Sequence, residues 1–426
     1  MWTRIDRPFS VPVEVRAALT TLISAGFESY LVGGCVRDFL LNKPIKDYDL
    51  ATQAKPEDVE RLFGKVIEVG RLFGVMKVIA ENGREIEIAT FRSEGDYKDH
   101  RHPTKVEFSS VELDSKRRDF TINALYFDLK TSQVLDFHHG LRDLKDKVIR
   151  AIGNPSIRFE EDALRLMRAV RFASRFQFQI SEETTAAIKE HAPLIRKISV
   201  ERVRDELEKI INHPAAKQAV MELENLGLFE NIMPEIAVAK LGQRKVWDQT
   251  LRVLTVLGSY ERPEPLSFYW ALLLLPTLRL LPVEKRDAEA RKIAERLKLP
   301  NQTADEMAYL VRETPKFSYA FAMRESTLFR WMRENEFELL MRFHALDALT
   351  YDGNQAGLEF VSALYPEMKK RFDQKPLISG EDLVKLGLSP GRQFTEILRT
   401  IEDLSVEGQL STAAEALDYV LKHFVK

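Results

Sequence analysis

The sequence predicts an α+β protein, in which an N-terminal domain with a mixed sheet and helices precedes an all-helical remainder. Before about residue 150, short β-rich runs alternate with helical stretches. After that point, apolar residues recur at helical spacing almost to the C-terminus, and Pro and Gly punctuate the pattern. A chain of 426 residues has room for about three domains, which agrees with a sheet domain followed by several groups of helices.

The N-terminal part contains the strand patterns. Runs rich in β-branched and aromatic residues predict strands at 29–32, 75–80, 85–91 and 124–129. The segment 56–63 predicts a helix. Asn82-Gly83, between two of the predicted strands, is typical of a β-hairpin turn.

The remainder contains the helical patterns. Helices are predicted at 160–176, 181–191, 200–211, 215–225, 245–260, 266–281 and 284–298. A further boundary is expected between Pro366 and Pro376, where charged residues and prolines interrupt the apolar pattern.

The charge balance excludes some classes of function. The chain carries 63 Lys and Arg against 65 Asp and Glu, a formal net charge of −2, so its total charge cannot attract nucleic acid as a basic tail does. Any basic site must therefore be local. The single cysteine, Cys35, excludes a disulfide framework and a multi-cysteine zinc site, and it favours a cytoplasmic location.

Secretion and membrane insertion are not expected. The first residues lack the apolar core of a signal peptide. The most apolar run, 268–275, is too short to span a bilayer. Pro276 follows this run directly and predicts a turn or kink.

A Gly-Gly pair ends the first predicted strand, in the segment YLVGGCVRD. A helix is expected to begin near Cys35 or Val36, and glycines at such a turn let a phosphate approach the backbone at the helix N-terminus. Arg37, on the first helical turn, would add its guanidinium to the same phosphates. A tight turn without a ligand is the alternative interpretation.

Two aspartates, Asp47 and Asp49, follow the glycine turn. In a strand, residues i and i+2 share a face, so the two carboxylates would repel each other unless a cation were bound. Mg²⁺ accepts one or two carboxylates together with phosphate oxygens of a substrate. Glu85 or Glu87, which alternate on a later strand, would supply a third carboxylate if the strands were neighbours. The alternatives are a solvated acidic turn and an edge strand with one wet face.

An arginine-rich helix is predicted at 158–176. Residues 150–175 contain six arginines and three acids, and Arg165, Arg168 and Arg171 recur at a spacing of three along one helix face. A solvated face normally mixes Lys with Glu, whereas arginine alone indicates planar recognition of phosphates or base edges.

Asp162 lies about one turn before Arg165, and an Asp acceptor beside an Arg donor matches the edge of a nucleobase. The alternative is a surface ion pair between residues i and i+3.

The segment RRDFTINA contains two further candidates. Asp119 is a candidate acceptor for a ribose hydroxyl, and Arg118 is a candidate phosphate ligand. The alternative is a charged turn that leads into a strand.

These segments, in this order, resemble the nucleotidyltransferase superfamily, specifically the class II tRNA nucleotidyltransferases (CCA-adding enzymes) and the bacterial poly(A) polymerases. GGCVRD followed by DYD is similar to motif A, and RRDFTINA is similar to motif B. LDFHHGLRDLKDKVIRAIGNP is similar to the hinge motif C, although His138-His139 replace the more usual residues. EDALRLMRAVRFA is similar to motif D, and the whole resemblance spans residues 25 to about 215.

The resemblance implies roles for the candidate residues. Asp47 and Asp49 would bind two Mg²⁺ ions, and Glu87 would orient the primer 3′-hydroxyl. The nucleotide contacts implied by the family are the triphosphate ligands Gly34 and Arg37, the motif B pair Arg118 and Asp119, the base-reading pair Asp162 and Arg165, and Arg168 and Arg171. The implied reaction is template-independent addition of C, C and A to tRNA from CTP and ATP, with release of pyrophosphate.

The resemblance also implies a domain order. A catalytic nucleotidyltransferase head would occupy 1–146, a helical neck with the recognition helix 147–215, a helical body 216–365 and a helical tail 366–426 that binds tRNA. The segments PLISGEDL and LGLSPG are similar to the tail of bacterial CCA-adding enzymes. No membrane contact is expected, and the sequence does not determine the oligomeric state.

Two other functions remain open at this point. Poly(A) polymerases share motifs A to D, but their C-terminal regions are typically longer and more basic. A catalytically silent RNA-binding relative would not need Asp47, Asp49 and Glu87. The polar segment 93–105 lies where the family has the loop needed to switch from CTP to ATP, which favours full CCA addition over CC addition alone. The sequence contains no His-Asp dipeptide, so no phosphohydrolase activity is expected.

Overall fold

The computed structural model describes residues 1–95, 106–351 and 353–425. These residues form two compact units, Met1–Leu241 and Gly242–Lys426. The first unit contains a sheet with its helices and then a group of helices, and the second unit is helical throughout its described secondary structure. The predicted α+β class, with a mixed sheet before a helical remainder, is confirmed.

The strands all lie in the described part of the first unit. Numbered in chain order, they are β1 Trp2–Arg4, β2 Ser29–Val32, β3 Asp49–Thr52, β4 Val66–Gly70, β5 Val75–Ile79, β6 Glu85–Thr90, β7 Arg92–Glu94, β8 Val106–Phe108, β9 Leu125–Asp128, β10 Gln133–Asp136, β11 Val148–Ile149 and β12 Gln179–Ile180.

The first unit also contains the helices α1 Val13–Ser24, α2 Gly34–Leu40, α3 Pro56–Leu62, α4 Val111–Lys116, α5 Gly140–Asp146, α6 Pro155–Glu161, α7 Leu164–Phe176, α8 Glu182–His191, α9 Val200–Ile211, α10 Ala216–Asn225 and α11 Phe229–Ile232. The helix α12 Pro234–Gly242 reaches the boundary with the second unit.

The main sheet has eight strands among the described residues, in the order β1-β10-β9-β2-β3-β6-β5-β4. It is mixed, because β3 pairs antiparallel with β2 and parallel with β6. The centre of β3 is part of the core, since Leu50 and Ala51 are 0% and 1% exposed. The register sets Asp49 between Val32 on one side and Glu87 on the other.

The predicted hairpin and strands are confirmed, each strand to within one residue of its predicted limits. Asn82-Gly83 forms the turn between the antiparallel strands β5 and β6. Gly83 has a φ of +84°, a conformation that favours glycine. The Ala80 N–H donates to the carbonyl oxygen of Arg84 across the turn at 2.9 Å.

The predicted arginine helix is broken into two helices, which corrects the sequence interpretation. Asp162, between α6 and α7, has an extended backbone with φ −144° and ψ 99°. Its carboxylate accepts a hydrogen bond from the Leu164 N–H at 3.1 Å, and such local bonds compete with continued helix. The apolar face of α7 is buried as predicted, with Leu166, Met167 and Val170 each 0% exposed.

The described helices of the second unit are α13 Arg244–Gly258, α14 Leu266–Leu278, α15 Val283–Arg296, α16 Asn301–Glu313, α17 Glu325–Met332, α18 Phe337–Thr350, α19 Ala356–Arg371, α20 Gly380–Lys385, α21 Arg392–Val406 and α22 Ala413–His423. The boundary predicted between Pro366 and Pro376 falls partly inside α19. Beyond it, α20 to α22 share an apolar cluster that includes Ile378, Leu383, Ile397, Ile401, Ala416 and Val420.

Pro276 lies inside α14, so the helix predicted at 266–281 continues through it and the chain does not turn after residue 275. The proline is in the last turn of the helix, and its ring removes one backbone hydrogen bond there. Burial compensates for that loss, because α14 is enclosed on several faces, with Phe268, Leu273 and Leu275 each 0% exposed.

Within the described residues, no helix combines the length and apolar character required to cross a membrane.

Gly140, the first residue of α5, packs against the backbone of the turn that follows Asp119. A Cβ at Gly140 would lie 2.3 Å from the carbonyl oxygen of Thr121, so the backbone must shift to accept it. We expect Gly140→Ala to lower the free energy of unfolding by about 1–3 kcal/mol, measured by thermal and urea denaturation. Gly64→Ala is the control, because nothing lies within 4 Å of a Cβ there. Equal losses in the two variants would contradict the packing argument.

Candidate active site

Three carboxylates lie near the start of β3. Asp49 is the first residue of β3 and is in register with Glu87 on the parallel strand β6. Asp47 precedes the strand and is exposed, so only Asp49 lies in a strand and the prediction that the two aspartates share a strand face is wrong. The pKa of Asp49 is raised to about 6, first by burial and then by the charges of Glu87 and Asp47, against the opposing effect of Arg118.

Glu85, the other candidate on β6, does not join this group. Its carboxylate is exposed and accepts a hydrogen bond from the Lys77 ammonium at 2.7 Å. The pairing of β3 with β6 therefore decides between the two glutamates that the sequence left open. Glu87 is the one beside Asp49.

The three carboxylates suit a hard cation whose coordination is completed by the substrate. Within the described residues, no three or more His, Cys, Asp or Glu side chains are arranged as a preformed metal cluster. Mg²⁺ needs no such cage, because it commonly takes one or two protein carboxylates and fills its other positions with water and substrate phosphate. The like charges around Asp49, which raise its pKa, are the kind that a cation would neutralise.

The glycine turn lies beside Arg118. Gly33 has a φ of +72°, and α2 begins at Gly34, slightly earlier than predicted. A Cβ on Gly33 would be 3.5 Å from the Arg118 Nη1 atom, so the guanidinium borders the turn. Arg118 Nε donates to the Tyr126 hydroxyl at 2.9 Å, and Nη2 donates to Asp114 at 3.1 Å. Tyr126 and Asp114 thus hold Arg118 beside the glycine turn, and its charge acts on the Asp49 carboxylate.

Arg37 begins a buried chain of hydrogen bonds. It is only 4% exposed, and its Nη1 donates to the Asn123 side-chain oxygen at 2.6 Å. Asn123 donates to Asp119 at 3.0 Å, and Arg168 donates to the other Asp119 oxygen through Nε at 2.9 Å and Nη2 at 2.6 Å. Despite burial, these contacts lower the pKa of Asp119 to about 2. The structure therefore gives Arg37 and Asp119 internal partners in addition to their predicted nucleotide roles.

The arginines of the recognition face also have partners. Arg165 Nη2 donates to the carbonyl oxygen of Arg117 at 2.9 Å, and its Nη1 donates to Glu161 at 2.9 Å. Arg171 forms an ion pair with Glu206, which is 1% exposed, and lies over the Phe172 ring at 4.3 Å. The arginine stripe is therefore a set of oriented donors fixed by neighbouring acceptors.

Asp162 does not pair with Arg165, which excludes the simple surface ion pair as its explanation. Both of its carboxylate oxygens instead accept from Arg202 on α9, at 3.1 and 2.9 Å. Sequence reasoning missed Arg202 and Glu206, because both lie far along the chain from their partners. Arg202 and Glu206 are four residues apart on one helix, and this spacing was the available sign that they share a face. Many amphipathic helices have polar residues at the same spacing, so it did not identify their partners.

The hinge segment that carries the unusual His138-His139 pair is organised by Asp136. The Asp136 carboxylate accepts from the N–H groups of His138, Gly140 and Leu141 at 3.0–3.1 Å. His138 Nε2 lies 2.9 Å from the Ser115 hydroxyl, and His139 has a positive φ of 62°.

The loop predicted at 93–105 lies, for residues 96–105, outside the described part of the chain.

Three protein families match successive parts of the chain. The Poly A polymerase head domain matches residues 29–150, the "Probable RNA and SrmB- binding site of polymerase A" matches 177–240, and tRNA nucleotidyltransferase domain 2 matches 269–420. The CCA-adding enzyme of Lactobacillus helveticus is 33% identical over 98% of this chain and 99% of its own length. The CCA-adding enzyme of Enterococcus faecalis is 35% identical over 96% of this chain and 96% of its own length. The crystal structure of the Bacillus stearothermophilus CCA-adding enzyme in complex with CTP matches with a TM-score of 0.72, 28% identity and 96% coverage of each chain.

Asp49→Asn tests the cost of crowding these carboxylates. The amide removes a charge that burial and two neighbouring acids disfavour, so the metal-free variant should be more stable at neutral pH, by about 1–3 kcal/mol. The measurement is thermal unfolding in EDTA and in MgCl₂, where wild type should gain stability from Mg²⁺ and the variant should gain less. Glu85→Gln is the control and should respond to Mg²⁺ as wild type does. A less stable Asn variant in EDTA would contradict the proposed repulsion.

Proposed function

Because the chain belongs to the CCA-adding enzymes, we propose that Asp47, Asp49 and Glu87 are the catalytic carboxylates with which it extends tRNA. It is a template-independent RNA nucleotidyltransferase that adds C, C and A to tRNA 3′ ends from CTP and ATP. The observation that carries the site proposal is the register of β3 against β6, which sets Asp49 beside Glu87. Poly(A) tailing and RNA binding without catalysis gain no support, since relatives matched over nearly the whole chain are CCA-adding enzymes.

In the proposed reaction, the primer 3′ oxygen bonds to the α-phosphorus of the nucleotide, and the bond to the leaving pyrophosphate breaks. Glu87 orients the primer hydroxyl. The backbone at Gly34 receives the triphosphate together with the guanidinium groups of Arg37 and Arg118. Two Mg²⁺ ions, held by Asp47 and Asp49, would lower the pKa of the hydroxyl and neutralise the charge that develops on the phosphate.

Nucleotide selection is proposed for α7, for Asp162 between α6 and α7, and for Asp119. Asp162 and Arg165 would contact the Watson–Crick edge of the base, Asp119 the ribose, and Arg168 and Arg171 would add contacts on the same helix. The hydrogen bonds that hold these side chains support the proposal, because a pre-oriented donor or acceptor loses little conformational entropy when it binds.

Binding of tRNA is proposed for the second unit, including the tail at 366–426. A cleft of about 900 Å³ within this unit is lined by six basic side chains and two acidic ones, Glu334 and Glu402. The basic residues are Lys316, Arg330, Arg333, Arg371, Lys375 and Arg399. Glu313, Glu325 and Asp403 pair with three of these cations from outside the lining, so the cleft offers oriented guanidinium and ammonium donors, which suit the phosphate backbone of RNA. We also propose a cytoplasmic location, because the single cysteine fits a reducing compartment.

The function is tested by incubating the protein with MgCl₂, labelled CTP and ATP, and tRNA that lacks its 3′ end. The expected products grow by C, then C, then A, and stop there. Long A-tails on arbitrary RNA would instead identify a poly(A) polymerase, and RNA binding without incorporation would identify a silent relative. Omission of MgCl₂ should abolish incorporation and leave tRNA binding in place.

Arg165→Ala tests the proposed reading of the base edge. Loss of a well-placed base contact costs about 1–3 kcal/mol, so the preference for CTP over UTP in kcat/KM should fall by about 10- to 100-fold. The affinity for tRNA should change less. Arg196→Ala, at an exposed position after α8, is the control and should retain nucleotide selection. Unchanged selection in a folded Arg165→Ala protein, checked by circular dichroism, would remove Arg165 from this role.

A further inference from the structure

A cleft of about 410 Å³ in the first unit is lined by donors from three segments of the chain. They are Lys46, Arg171, Ser174, Arg175, Lys209 and His213, which we call the basic cleft. We propose that the basic cleft binds a backbone phosphate of the RNA primer strand next to its growing end. This inference rests on the proposed function and adds a second phosphate site to it.

The basic cleft carries positive charge with no carboxylate among its described lining residues. The acids beneath it are buried: Asp38, which lies 3.8 Å from Arg175, is 7% exposed, and Glu206 is 1% exposed. The side chains of Arg175 and Lys209 are 38% and 61% exposed. Asp38 pairs with Arg175, and Glu206 pairs with Arg171 and Lys209, so these carboxylates hold the cations in place. Arg175 and Lys209 remain exposed enough for an anion to reach them.

His213 adds an uncharged donor. Its Nδ1 accepts the Ala215 N–H at 3.1 Å, so the proton of the neutral imidazole is on Nε2. Burial and the nearby charges of Arg175, Lys43 and Arg171 lower the pKa of His213. The same charges that keep the imidazole neutral create the positive potential that attracts a phosphate.

The position of the basic cleft favours the primer strand over the incoming triphosphate. Lys46 is next to the catalytic Asp47, and successive Cα atoms are about 3.8 Å apart, so the cleft adjoins the reaction centre. The triphosphate is proposed to bind at Gly34 and Arg118, and neither residue lines this cleft. Apart from Arg171, which is also proposed to contact the nucleotide, the cations of the basic cleft are therefore available for a different phosphate. The primer is the other phosphate-bearing substrate of the reaction.

Lys209→Gln tests the assignment, with Lys189→Gln on the exposed face of α8 as a control of equal charge change. Glu206 keeps Arg171 as its partner in the test variant, so the fold should persist. The expected result is a rise of about three- to tenfold in the KM for tRNA lacking its 3′ end, with the KM for CTP unchanged. The slope of log Kd for tRNA against log salt should fall by about 0.7, the loss of one phosphate contact on a single strand.

Pyrophosphate, the released product, carries the same chemistry, so its inhibition constant is measured in parallel. A weaker inhibition by pyrophosphate with an unchanged KM for tRNA would overturn the assignment to RNA. If the KM for tRNA, the inhibition constant of pyrophosphate and the salt slope all equal those of the Lys189→Gln control, the basic cleft is not a phosphate site and the proposal is overturned. The salt slope, measured by fluorescence anisotropy, needs no catalysis. It therefore tests the cleft even if wild type fails to add nucleotides, an outcome that would count against the proposed function alone.

Discussion

The buried hydrogen-bond chain from Arg37 through Asn123 and Asp119 to Arg168 is the constraint on which the first unit depends. It connects α2, which follows the glycine turn, to α7, the proposed recognition helix. Asp119 is its central member, because both of its oxygens accept hydrogen bonds. Removal of one member of a buried pair typically costs about 3–5 kcal/mol, since it leaves a charge without compensation. The chain therefore fixes α2, and the glycine turn before it, relative to the arginines on α7.

The same logic governs the rest of the recognition face. Arg165 is held by backbone and carboxylate oxygens, Arg171 by Glu206, and Asp162 by Arg202. Aromatic rings support the arginines from the side, as Phe172 does for Arg171. These contacts restrict the rotamers of long side chains before any nucleotide arrives. A site that must distinguish CTP and ATP from the other triphosphates without a template needs such fixed donors, because the protein alone supplies the complementary edge.

Acidic and basic side chains are segregated into separate groups around this site. The formal net charge of −2 conceals an acidic group at Asp49 and, beside Asp47, a basic cleft whose carboxylates lie underneath it. Buried acids such as Asp38 and Glu206 relieve the repulsion among the arginines without cancelling the field that faces outward. Opposite charges can thus stand close together, one sign suited to cations and the other to phosphates. A near-neutral total also suits an enzyme that must release its RNA product.

The sequence alone determined the fold class, the limits of four of the eight strands of the main sheet, the hairpin at Asn82-Gly83 and the residue types of the site, because periodicity, turn chemistry and motifs are local properties of the chain. It did not predict that Asp162 interrupts the arginine helix, and it gave both a helix at 266–281 and a turn or kink at Pro276 within that range. Without the family resemblance, which implied Glu87, it also left Glu85 and Glu87 as equal candidates, and it missed Arg202 and Glu206. Only the tertiary structure decided these points, because each depends on a partner from a distant segment: the register of β3 against β6, the approach of α9 to α7, and the packing around α14. Long-range contacts of this kind leave no periodic trace in a single sequence.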